Sequence, residues 1–201
     1  MIRPRYLLLL SFALAACGPD RPADSTGDTV RASADSAARV TRAVDTLPSA
    51  ATAPRSIALA ADGLEVSAGG APQRLAFGAA RASALAEVGG VLGQPVQQGM
   101  QEECPAGPLY QVSYAGGLQL VFQDSAFVGW FAQPGSTLRT TRKIGPGSTL
   151  AQLKAAYPAT KVEETSLGHE FDAGELWGIV TDTTDAGVVE VLFAGINCIF
   201  R

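Results

Sequence analysis

Ile144-Gly145-Pro146-Gly147-Ser148-Thr149-Leu150-Ala151-Gln152-Leu153-Lys154-Ala155-Ala156-Tyr157-Pro158 is the stretch on which the fold reading turns. Its glycines and first proline make a turn, Leu150, Leu153 and Tyr157 share one face at helical spacing, and Pro158 stops the helix. Thr149 with Gln152 three residues later forms a capping box, which satisfies two orphan backbone donors. Two strands are expected downstream, Leu176 to Thr181 and Val188 to Phe193, around a turn with Asp185 and Gly187.

The same order occurs upstream. Leu85, Val88 and Leu92 predict a helix stopped by Gly93 and Pro95. Tyr110, Val112 and Tyr114 alternate with polar residues, and Ala115-Gly116-Gly117 turns the chain. Leu118, Leu120 and Phe122 alternate again, and Gln123-Asp124-Ser125 makes a second turn before Ala126 to Phe131. That pattern is a meander of half-buried antiparallel strands. The apolar positions of the two helices match at a constant spacing of 65 residues. The expected fold is therefore α+β, with tandem helix-plus-antiparallel-sheet repeats at about 74–133 and about 140–198. A β-hairpin precedes them, turning at Asp62-Gly63 between Ile57–Ala61 and Leu64-Glu65-Val66. A short strand from Arg74 to Phe77, ending at Gly78, follows the hairpin.

At the amino terminus, Arg3 and Arg5 precede an apolar core from Tyr6 to Ala13, and Leu14-Ala15-Ala16-Cys17 then supplies small residues before a cysteine. The 11 residues from Tyr6 to Ala16 are about half the ~20 that a membrane-spanning helix needs. Residues 1–16 are thus expected to be a cleaved signal. Leu14-Ala15-Ala16-Cys17 resembles the lipobox of bacterial lipoproteins. That resemblance implies a diacylglycerol thioether on Cys17, cleavage before it and N-acylation, and two or three acyl chains anchor stably where one does not. Gly18 follows the cysteine where an aspartate would signal retention at the inner membrane. In a diderm bacterium the resemblance then implies the outer membrane, facing the periplasm.

Residues 17–55 are then expected to be the lipidated cysteine and a flexible linker: Gly18 to Arg55 is rich in Ala, Ser, Thr, Pro and Asp and has no aromatic residue. Such a segment buries too little apolar surface to offset its ordering entropy. Residues 56–201 are long enough for one self-sufficient globular domain. With eight basic and fourteen acidic residues, they are more acidic than the chain as a whole, which carries −4. That balance argues against nucleic acid as a partner. Cys104 and Cys198 lie in this domain, and an oxidising compartment makes a disulfide between them the expectation, with two buried thiols as the alternative.

Two further resemblances concern the fold. The helix–strand–strand unit with its Gly147-Ser148-Thr149-Leu150-x-x-Leu153 opening is similar to the repeat of the β-lactamase inhibitory protein family. It is also similar to the small outer-membrane lipoproteins of the β-barrel assembly machinery. Both cover about ten positions per unit and imply no partner for this chain. Over most of residues 56–201 the chain resembles a family of uncharacterised secreted or lipid-anchored bacterial proteins. The segments that carry this likeness include Leu75-Ala76-Phe77-Gly78, Cys104-Pro105-Ala106-Gly107, Leu118–Phe122, Phe127-Val128-Gly129-Trp130 and Ile144–Leu150. The same two cysteines pair in it.

Chemistry is sparse. The one histidine, His169, lies in Leu167-Gly168-His169-Glu170-Phe171-Asp172, read as a solvated loop, and no serine sits in a nucleophile elbow. Glu102-Glu103 and Glu163-Glu164 are adjacent acids that a strand sends to opposite faces. Asp182 and Asp185 flank a turn without the spacing of a calcium loop. No metal, cofactor or enzymatic activity is expected. Arg139, Arg142 and Lys143 form a basic cluster on a loop between the halves, read as a solvated edge. The aromatic residues of the strands remain, with Tyr110, Tyr114, Trp130 and Trp177 as candidates for an exposed binding surface. The expectation is a lipid-anchored extracytoplasmic module that binds a protein of the cell envelope. A small-ligand or cell-wall binding domain is the alternative, and a hydrolase a more distant third.

Overall fold

The computed structural model describes residues 54–199. The signal at 1–16, Cys17 and almost all of the linker lie outside them. No helix among the described residues is long and apolar enough to cross a membrane.

The described residues begin with β1 (Arg55–Ala60), β2 (Gly63–Ala68) and β3 (Gln73–Ala76), and continue through α1 (Arg81–Leu92). Four strands follow: β4 (Gln97–Gln101), β5 (Leu109–Tyr114), β6 (Leu118–Gln123) and β7 (Ala126–Ala132). A two-residue strand, β8 (Arg139–Thr140), precedes α2 (Leu150–Ala156). The last four strands are β9 (Lys161–Thr165), β10 (Gly168–Asp172), β11 (Trp177–Val180) and β12 (Val189–Gly195). They build two sheets. The small one has the order β3-β2-β1-β8, and the large one β4-β5-β6-β7-β12-β11-β10-β9. The result is an α+β fold dominated by strands.

Alternation decides which side chains meet. Leu118, Leu120 and Phe122 of β6, Val112 and Tyr114 of β5, and Leu192 and Ala194 of β12 point to one face of the large sheet. There they join Leu59 and Leu64 of the small sheet, Val88 of α1 and Leu150 and Leu153 of α2 in one core. Each fully buried Leu or Phe contributes about 1.5–3 kcal/mol. Trp130 spans the layers, since its indole Nε1 donates to the Ala60 carbonyl at 2.8 Å.

The first hairpin turns one residue earlier than expected. Ala60 pairs with Gly63, so Ala61-Asp62 is the turn and Gly63 opens β2. Residue 63 is a glycine within the sheet, where a Cβ would lie 2.1 Å from the Leu75 carbonyl oxygen of β3. Asp62 secures the corner through an ion pair with Arg74 and by accepting the Phe77 amide at 2.8 Å.

Both helices start in the same way. Gly78 donates to Phe127, Phe127 to Ala79 and Arg81 to Ser125, which fixes α1 on the β6–β7 hairpin. Gly147 donates to Val189, Val189 to Ser148 and Leu150 to Gly187, which fixes α2 on the β11–β12 hairpin. Gly78 and Gly147 both hold φ near +90°, a region open to glycine. The helix positions matched by these bonds lie 69 residues apart, so Ala84 answers to Leu153 and Val88 to Tyr157. The spacing of 65 read from the apolar pattern is one helical turn out of step, because it matches Leu85, in the second turn of α1, to Leu150, which opens α2. The capping box at Thr149 is formed, with bonds of 2.9 and 3.2 Å. α1 has Ala80 at the equivalent position and no side-chain cap.

Candidate functional site

The helices and the small sheet cover one face of the large sheet. The other face carries the alternate residues of every strand. One row of cross-strand neighbours crosses all eight strands: Gln97, Ser113, Gln119, Phe131, Phe193, Trp177, Asp172 and Lys161. It runs from amides through aromatics to charges. Gln119 bonds Ser113 at 3.3 Å and Gln111 at 3.5 Å at the amide end. Phe131 and Phe193 stack at its centre, with ring centroids 5.6 Å apart and planes 7° from parallel.

Three shallow depressions lie along this row. The central one, of about 370 Å³, has a floor of Phe131, Ile179, Val191 and Phe193. Leu167, in the β9–β10 turn, forms one wall, and Cys198 and Ile199 form the other. On the charged side, a depression of about 220 Å³ sets Trp177 beside Lys161, Glu163 and Asp172. Glu170 borders both. On the amide side, a depression of about 250 Å³ is bordered by Gln101, Gln111, Gln119 and Asn197.

The segment after β12 makes one wall because it is held at two points. Ile196 donates to the Val128 carbonyl at 2.8 Å, and Cys198 is bonded to Cys104 with the Cα atoms 5.0 Å apart. Gly129 permits this approach, since a Cβ there would lie 2.1 Å from the Ile196 carbonyl oxygen. Cys104 packs with Leu109, Val121, Val128 and Cys198 in a small apolar cluster separate from the main core. A bridge of this sequence separation, 94 residues, stabilises by up to about 4.7 kcal/mol in the chain-entropy model.

Of the four aromatic candidates, only Trp177 lies on this face, half-buried. Tyr114 and Trp130, at 2% and 0% exposure, are core residues. They share the inward parity of Val112 and Leu118, which their sequence neighbours alone did not reveal. Burial raises the Tyr114 phenol pKa, and its hydroxyl has no hydrogen-bond partner. Tyr110 also points to the helix side, under the Arg81 guanidinium at 4.6 Å. Phe131, Ile179, Val191 and Phe193 were missed as a group. Adjacency of Trp130 and Phe131 already required opposite faces, and only the packing tells which of the two is inside.

His169 is on β10 and not on a loop. It is half-buried, with Nδ1 enclosed and unpartnered. Asp182, whose carboxyl it influences weakly, accepts from the Thr184 hydroxyl and amide at 2.5 and 2.8 Å. Those bonds chiefly hold the Asp182 pKa below the ordinary carboxylate value. In the basic cluster Arg142 and Lys143 are exposed, and Arg139 is half-buried. Arg139 lies on β8 and donates to the Leu138 carbonyl, while Arg142 donates to Ala156 and lies 4.9 Å above the Tyr157 ring. Among the described residues, no group of three or more His, Cys, Asp or Glu side chains is placed to hold a metal ion.

No protein-family model matches the chain, and no curated protein or solved structure matches it.

Proposed function

We propose that this protein is a lipid-anchored, extracytoplasmic binding module that docks a protein of the cell envelope on the uncovered face of its large sheet. The observation that carries the reading is the central depression: an apolar floor of half-buried Phe131 and Ile179 beside buried Val191 and Phe193, edged by exposed Leu167 and flanked by amides on one side and charges on the other. Small ligands favour enclosed sites that bury most of their surface. A shallow apolar centre with a polar rim is the anatomy of a protein interface. The partner segment it fits is an apolar stretch lying over Phe131, Ile179 and Val191, with a basic side chain reaching Glu163 and Asp172 beside Trp177. Anchoring rests on Leu14-Ala15-Ala16-Cys17, with residues 17–55 as the tether and 56–201 as the presented domain.

The domain is, on this reading, a duplicated unit related to the β-lactamase inhibitory protein and to small lipoproteins of β-barrel assembly. Three correspondences support the duplication. The helix starts share their bonding pattern. Val128 and Glu190, the unpaired residues of the bulges on β7 and β12, are 62 residues apart. A shift of that same 62 residues carries Trp130 to Leu192 and Ala132 to Ala194, so it exchanges the pairs Trp130–Ala194 and Leu192–Ala132 and puts Phe131 and Phe193 on the local two-fold axis.

The test is a photo-crosslinking residue at Leu167, on the rim, compared with one at Gln152 on the exposed side of α2, in native envelopes. The expected result is one protein adduct from position 167 alone, abolished by Ile179→Asp. Equal adducts from both positions contradict the reading.

A further inference from the structure

The two edges of the large sheet differ in kind. β9 carries Lys161, Glu163 and Glu164, and charge on an edge discourages strand addition. β4 reads Gln97-Gln98-Gly99-Met100-Gln101, exposed at all five positions, with no charge and no proline. Val96, just before it, and Met100 are 67% and 52% exposed, the highest values among the exposed large hydrophobic residues described. Both share the parity of Gln98, so their side chains lie on one side of the strand. Its inner edge is occupied by β5, from Gln97 opposite Ser113 to Gln101 opposite Leu109. Its outer edge offers a row of backbone donors and acceptors to another strand.

We propose that β4 pairs antiparallel with β4 of a second copy of this chain, about a two-fold axis at Gly99, joining two eight-stranded sheets. The sequence is self-complementary in that register. Gly99 faces Gly99, Gln98 faces Met100, Gln97 faces Gln101, and Val96 faces Glu102. No charge opposes a like charge, and the apolar side chains of both copies are covered on one side. The same operation on β9 sets Glu163 directly against Glu163, so self-pairing selects one edge. A Cβ at Gly99 meets nothing within 4 Å in a single copy, and this leaves the axis position open.

Gly99→Cys in the full chain, oxidised in its native membrane, tests the geometry. Paired β4 strands bring the two new thiols within bonding distance. A disulfide linking position 99 to position 99, mapped by peptide mass, is expected at about tenfold the yield from Glu163→Cys. Adding Gln98→Lys with Met100→Lys opposes lysines twice and is expected to lower the yield about tenfold. Gln98→Lys with Met100→Glu pairs opposite charges and is expected to restore it. Absence of the 99–99 link, equal linking at the two edges, or indifference to the charge pattern overturns the proposal. So does a detergent-solubilised wild-type chain that sediments as a monomer.

Discussion

Phe131 and Phe193 stand directly opposite one another on β7 and β12, the central pair of the large sheet, with their rings stacked 5.6 Å apart. The contact joins the two four-stranded halves and forms part of the floor of the proposed docking face. Phe193→Ala is expected to destabilise by about 3 kcal/mol, less for Phe131→Ala, which is half-buried. A double-mutant cycle by urea unfolding should return a coupling of roughly 0.5–1.5 kcal/mol. Strict additivity would show that the stack contributes nothing beyond burial.

The Cys104–Cys198 bridge holds the segment that walls the central depression. Cys104→Ala with Cys198→Ala should lower stability by about 2–5 kcal/mol, measured by denaturant titration. Hydrogen exchange should rise first at Ile196, whose amide bond to Val128 depends on the segment staying down.

Ala80 occupies the place on α1 that Thr149 fills on α2. Its φ of −60° and ψ of 137° already suit a capping residue. Ala80→Ser is expected to raise stability by about 1 kcal/mol, and Thr149→Ala to lower it by a similar amount, both read from the denaturant midpoint.

Asp182 gives an acid dependence. The Thr184 bonds stabilise its ionised form, so its native pKa lies below the unfolded value. The stabilisation is present above the unfolded pKa and is lost as pH falls through the native one. The stability difference between wild type and Asp182→Ala should therefore be largest near neutrality and close below the carboxylate range. A constant difference from pH 7 to pH 2 would contradict that assignment.

The strands legible in the sequence are those that bury one face. β5, β6 and β7 alternate because Val112, Leu120 and Trp130 meet the core while Gln111, Gln119 and Phe131 do not. β4 and β9 escaped because edge strands carry little buried side-chain pattern: all of β4 is exposed, and β9 contributes only Val162 to the core contact. β10 was hidden by Gly168-His169, which reads as a loop when strand partners on both sides are unknown. Local chemistry was readable where it is self-contained, as in the capping box at Thr149. Whether Tyr114 and Trp130 face inward is set by residues far along the chain, such as Ala60, and no local pattern reports it.

The chain has two tryptophans, one in the core and one on the uncovered face, and together they make the docking proposal directly measurable. Oxidative footprinting should be run on intact envelopes and on the purified full chain in detergent. Trp130 should stay unmodified in both. Trp177 should be modified in the purified chain and protected several-fold in the envelope, where a partner covers it. Equal modification of Trp177 in the two settings would contradict a docked face.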